Sequence, residues 1–231
     1  MTTSILDMAL NYELEGKKYY LTLAGKRLKT KKGNEIFTDS LVIVQATQED
    51  YKESKFKSKW INLVSSYVDF LATEEDIKGA KDQLVSYLKN DLLLYLESES
   101  NEYFEYQNKT YLPLLDKFKK LVGYEQGLVA TSGFNKVNFE DDTLNAVNEY
   151  VEKLSNSDLF TSLFLTRIST SSVLTILYLA KELSIDDFYS LAFYAEVEKL
   201  AKASDDEEEQ RLQIIKHELN IINYFSRDGL E

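Results

Sequence analysis

The chain has 231 residues, 44% of them hydrophobic and 29% charged, which is enough apolar surface to offset the entropy of ordering a core and argues against disorder. A formal net charge of −12 opposes nucleic-acid phosphates or an anionic membrane as the main partner, and a basic or apolar protein surface fits better. With no cysteine there are no disulfides, zinc–thiolate sites or thiol nucleophiles, which suits a reducing compartment.

The opening "MTTSILDMALNYELEG" has neither a basic n-region nor an unbroken apolar stretch, so no targeting segment is expected in it. Residues 10 to 45 read as a small antiparallel sheet. Tyr19, Leu21 and Leu23 alternate with the two-residue period of a half-buried strand, and Ala24-Gly25 and Lys32-Gly33-Asn34 supply turn chemistry. The basic cluster Lys26, Arg27, Lys29, Lys31 and Lys32 rims these hairpins, as lysines do where strand edges must stay soluble and unpaired.

After the charged connector "YKESKFKSK" the period becomes helical, which sets a predicted boundary between a β domain at 1–51 and a helical domain at 52–231. Phe56, Trp60, Leu63, Val64, Tyr67, Val68 and Leu71 form one apolar stripe, so the tryptophan is expected in the core. Thr73, with Asp76 three residues on, caps a helix predicted to run through Leu84, Leu88, Leu92 and Tyr95. That spacing sets Asp91 beside the buried stripe, where its carboxylate requires a hydrogen-bond partner.

Pro113 suits the first turn of a helix that Gly123 ends. "GLVATSGF" reads as a short strand or an extended link, and a further helix covers 140–154. Residues 159–180 are long enough to span a membrane but carry Arg167 and a run of serines and threonines. A buried central helix is expected there, its hydroxyls bonding back to its own backbone. Ser184 and Asp187 cap a helix on which Tyr189, Phe193, Glu196 and Leu200 share a face. Ser204 with Glu207 opens the last helix, whose acidic start suits the helix dipole. The expected architecture is α+β: a small N-terminal antiparallel β domain followed by a larger bundle of about six or seven helices.

Little in the chain invites catalysis. The single histidine, His217, stands in "HELNI", where Ile221 replaces the second histidine of a zinc-protease helix, and no phosphate-cradling glycine loop occurs. A carboxylate pair such as Asp91 and Glu196 could serve as general acid and base only if both line one accessible cleft. Buried acids more often bond backbone amides or arginines, and Arg167 is a candidate partner for Asp91. A non-catalytic acidic helical adaptor with a protein partner is the second reading, ahead of a carboxylate enzyme and behind the assembly role that the motifs suggest.

Read in order, the motifs resemble those of the assembly chaperones that guard the α subunit of the F1 part of the proton-translocating ATP synthase. "LAGKRLKTKKGNEIFTDSLV" is similar to that family's LDGRPLxTPxG pattern. "INLVSSYVD" resembles LTRLANTAID, keeping Asp69. "DLLLYLES" resembles DLLCYRA, keeping Asp91 and Tyr95. "YLPLLDKF" resembles WDPLLDW, keeping Pro113 and Asp116. "ISTSSVLTILYLA" is similar to SGSLVLALAL, and "YAEVEKLAKASDDEEEQ" takes the place of LDEEWQIEQWGEDEEA, with Glu196 matching its acidic cluster. The set covers roughly residues 18 to 225. Tyr111 and Ala203 stand where the family has tryptophans.

The resemblance implies a non-enzymatic chaperone, without cofactor or metal, that binds the unassembled F1 α subunit and passes it to the α/β hexamer. It also implies a monomer in the bacterial cytoplasm or the mitochondrial matrix. Glu196, Tyr189, Phe193 and Glu198 are the candidate client-binding residues; Asp69, Asp91, Tyr95, Pro113 and Asp116 are the candidate structural ones.

Overall fold

A computed structural model describes residues 9–98, 102–124, 128–132, 137 and 141–228, the side chains of Phe56, Arg227 and Asp228 apart. Two compact units emerge, Met1–Ile77 together with Ile221–Glu231, and Lys78–Asn220.

The first unit opens with an antiparallel sheet. Strand β1 (Leu10–Glu15) pairs along its length with β2 (Lys18–Leu23), and β2 also pairs with the two-residue strands β3 (Lys26–Arg27) and β4 (Phe37–Thr38). The β2–β3 turn holds Ala24 and Gly25 at φ 52° and 71°, the left-handed pair that a tight hairpin demands. The basic rim is partly neutralised. Glu13, Glu15 and Glu35 all bond the Arg27 guanidinium at 2.6–3.1 Å, and it stacks 4.0 Å over Tyr20.

Helix α1 (Leu41–Ser54) begins eleven residues before the predicted change of period at residue 52, so the position expected to part the two domains lies inside it. Ser40 caps it, and its Gln48 donates to the Leu10 carbonyl at 2.8 Å, tying helix to sheet. Helix α2 (Lys59–Leu71) is capped by Ser58 and buries Leu63, Val64, Tyr67 and Val68. Asp69 of α2 accepts from Thr30 Oγ1 at 2.6 Å and from Asn34 Nδ2 at 2.8 Å, and so holds the β3–β4 turn. Trp60 is half-buried, not sealed in the core; its ring meets Tyr224 edge-on at 5.4 Å. Phe56 of the same predicted stripe falls outside the described side chains.

The second unit is built on helices. Helix α3 (Glu74–Tyr87) stops short of the predicted Tyr95, giving way to two 3-10 turns and the strand β5 (Tyr95–Leu96). Helix α4 (Glu102–Val122) places Pro113 in its interior, not its first turn. It ends as expected at Gly123, whose φ of 78° lets the Tyr124 N–H reach the Lys119 carbonyl. Strand β6 (Thr131–Ser132) pairs in parallel with β5, and α5 (Asp141–Val151) follows.

The predicted central helix is two helices, α6 (Asn156–Ser169) and α7 (Ser172–Leu179), parted at Thr170, which adopts φ 53°. No described helix is long and apolar enough to cross a membrane. The hydroxyls do bond the backbone: Ser162 to the Leu159 carbonyl, Ser169 to Leu165 and Thr175 to Ser171, at 2.7–2.8 Å. Every residue of α7 from Ser172 to Tyr178 is buried, against α4, α6 and α8 (Ile185–Ala192). The Ser184–Asp187 capping box on α8 is present. Phe193 then breaks the chain before α9 (Tyr194–Lys202), so the face predicted for one helix is divided between two. Helix α10 (Asp206–Asp228) is capped by Asp205, which accepts from the Glu207 and Glu208 amides, instead of by Ser204. With these breaks the described residues form ten α-helices, more than expected.

Candidate functional site

Asp91 is fully buried and sits at the junction of the two 3-10 turns in extended conformation, not on a helix. Its Oδ1 accepts from Ser171 Oγ at 2.7 Å and Leu93 N at 3.0 Å, its Oδ2 from Val173 N at 2.8 Å. The carboxylate thereby clamps the segment after α3 onto the N-terminus of α7. Burial pushes its pKa up to about 6, against the pull of these donors. Arg167 is not its partner: that guanidinium is exposed and donates to Gln83 Oε1 at 3.2 Å.

Beyond this clamp the second unit carries an open cleft of about 340 Å³, walled by Tyr95, by Tyr103 and Tyr111 of α4, by Phe193, Tyr194 and Glu196 at the α8–α9 junction, and by Arg211 of α10. The rings are packed against one another. Tyr194 stacks face to face on Tyr106 and meets Tyr103 edge-on at 5.8 Å. Tyr111 is buried and donates its hydroxyl to the Leu191 carbonyl at 3.2 Å. Burial, with Tyr106 and Glu196 adding negative charge nearby, holds its phenol far above the usual range, so the ring stays neutral.

Glu196 lies in the first turn of α9 with its side chain 39% exposed. Its contact with Arg211 is 3.8 Å long, whereas Arg211 bonds Glu208 through Nε and Nη2 at 2.8 and 2.6 Å. Tyr189 packs on Phe193 at 5.3 Å and carries Lys216 over its ring at 5.5 Å. Glu198 is half-buried on α9, close enough to push the phenols of Tyr106 and Tyr194 upward once burial has done so.

Glu196, Phe193 and Tyr95 therefore line one cleft, Tyr189 and Glu198 stand beside it, and Asp69, Asp91 and Asp116 do not reach it. Asp116 is exposed on α4 and paired with Lys119 at 2.8 Å. Sequence reasoning missed Tyr103, Tyr194 and Arg211. The signal available was the density of tyrosine, 16 in the chain, with Tyr103 and Tyr106 one helical turn apart. Ala203 is exposed at the end of α9 and adds no ring.

Since Asp91 is sealed and absent from the walls of the cleft that Glu196 lines, the two carboxylates cannot share a substrate. Among the described residues no cluster of three or more His, Cys, Asp or Glu is placed to hold a metal ion.

Residues 7–119 match the model of the ATP12 chaperone protein family. No curated protein sequence matches the chain. Among solved structures, Atp12 from Paracoccus denitrificans superposes with a TM-score of 0.77 at 15% identity, over 95% of this chain and 94% of that one. A D202K mutant of the same protein gives 0.78 at 15% identity, over 95% and 96%. The Atu1473 protein of Agrobacterium tumefaciens gives 0.75 at 16% identity, over 95% and 81%. The match to the ATP12 chaperone family model thus covers residues 7–119, just under half of the chain, and the fold similar to that of Atp12 extends across 95% of its length.

Proposed function

We propose that this chain is a chaperone for assembly of the F1 sector of the proton-transporting ATP synthase, acting as a monomer that holds the unassembled α subunit until it joins the α/β hexamer. The observation that carries the reading is the ATP12 match over residues 7–119, joined to a fold that follows Atp12 nearly from end to end. The physical need is plain: an orphan subunit exposes apolar surface that aggregates unless it is reversibly covered. Helix α9 suits that task. None of its side chains is fully buried, and Val197 leaves 40% of its area in solvent beside Glu196 and Glu198. We assign Glu196, Tyr189, Phe193 and Glu198 to the client surface, with no catalytic step and no cofactor. The compartment is where free α subunits occur, the bacterial cytoplasm or the mitochondrial matrix.

Co-expression of the tagged chain with an F1 α subunit tests this. The α subunit is expected to co-purify with wild type and to be recovered at least several-fold less with Glu196→Lys, while thermal unfolding of the variant stays within about 0.5 kcal/mol of wild type, as for an exposed surface change. Equal recovery would remove Glu196 from the interface. Recovery of other proteins without the α subunit would favour an adaptor of different purpose.

A further inference from the structure

We infer that the cleft of the second unit is a guanidinium site, and that the client enters it with an arginine side chain laid on the tyrosine rings and its charge against Glu196. This rests on the client-binding reading above and specifies which chemistry of the client is recognised.

The first support is an under-committed acid. The Glu196 carboxylate meets Arg211 at 3.8 Å, too long for a hydrogen bond, and that guanidinium already spends two N–H groups on Glu208. A carboxylate whose side chain is 39% exposed, at the mouth of a cleft, is left with acceptor capacity for an incoming donor.

The second support is the wall. Tyr103 and Tyr194 line the cleft, with the nearly buried Tyr111 and Phe193 behind them, and electron-rich ring faces attract cations. Rings of this unit already do so internally: Lys202 lies 5.7 Å from the centre of Tyr103, and Lys216 lies 5.5 Å from Tyr189. The cleft volume of about 340 Å³ falls at the lower end of the roughly 300–1,000 Å³ typical of sites that take small groups.

Charge and shape together select arginine. A planar guanidinium can lie against a ring while its fork of N–H groups reaches the carboxylate, and it gives up its hydration more readily than the compact ammonium of lysine. The net charge of −12 favours approach of a cationic segment from any direction.

Titration of the full chain with Nα-acetylarginine amide, followed through the aromatic ring resonances by NMR, tests the site. Saturable shifts are expected at Tyr103 and Tyr194, with little response to the citrulline amide, which keeps the shape and loses the charge. Glu196→Gln should weaken binding about fivefold or more, the loss of one charge-assisted contact. Arg211→Gln should tighten it about threefold by removing a like charge from the mouth. Equal binding of citrulline amide, an unchanged affinity in Glu196→Gln, or shifts confined to other rings would overturn the inference. Capture of the α subunit is measured in parallel. A chain that captures the subunit but ignores arginine amide refutes the guanidinium site alone; one that binds arginine amide but never captures the subunit refutes the choice of client and leaves the site standing.

Discussion

Asp91 shows how much one buried carboxylate can decide. All its recorded partners donate, from Ser171, Val173 and Leu93, so Asp91→Ala strands several donors in the core and should lower stability by on the order of 1 to 3 kcal/mol. Urea denaturation of the two proteins checks this; matching curves would deny the clamp. The pH dependence has a definite sign. Burial raises the pKa from 3.8 to about 6, so the folded chain holds this proton more tightly than the unfolded one. The contribution of the group is greatest below pH 4 and fades as pH climbs through 6, by about 2 kcal/mol between pH 4.5 and 7.5. Wild type should therefore lose ground to Asp91→Asn over that interval, and parallel pH profiles would contradict it. That Asp91 must be buried and bonded was legible from the leucines around it. Its partners were not, because Ser171 and Val173 lie some eighty residues away and no local pattern announces a contact of that range.

At the scale of elements, caps were legible and breaks were not. Ser184 with Asp187, and Gly123 after Lys119 and Lys120, act within a few residues, so their chemistry can be read directly. The breaks at Thr170 and Phe193 leave the 3.6-residue period almost undisturbed on either side, so a stripe drawn through them looks continuous. Helix α1 was hidden for another reason: beginning at Leu41, its first residues are the β-branched and apolar run "LVIV", which propensity assigns to a strand until tertiary packing overrides it. Pro113 misled because proline favours a first turn, yet here it occupies the interior of α4 and denies the Lys109 carbonyl its partner. Pro113 is exposed, so Pro113→Ala removes the defect without opening a cavity. A gain of about 1 to 3 kcal/mol in denaturation experiments is expected. A loss would mean that Pro113 itself helps position Tyr111 and the cleft.

Across the whole molecule, the α+β class and the order of its parts were readable from the change of hydrophobic period, and the cleft was only half readable. Glu196 and Phe193 were singled out from their spacing on a presumed single helix; the structure unites them with Tyr95, Tyr103 and Arg211 through the helix break itself. The charge is divided too. Between Gly16 and Asn34 lie seven basic residues and no acidic one, so the remainder of the chain bears more negative charge than the total of −12 suggests. A ring-lined cleft with Glu196 in its wall, on a fold similar to that of Atp12, suits a temporary holder of another protein's surface. The central claim is that this chain shields an unassembled F1 α subunit, and light scattering during dilution of denatured α subunit into buffer tests it most directly. Suppression of aggregation near equimolar chain, relieved when β subunit is added, is the predicted result; unchanged scattering at every ratio of chain to α subunit would contradict it.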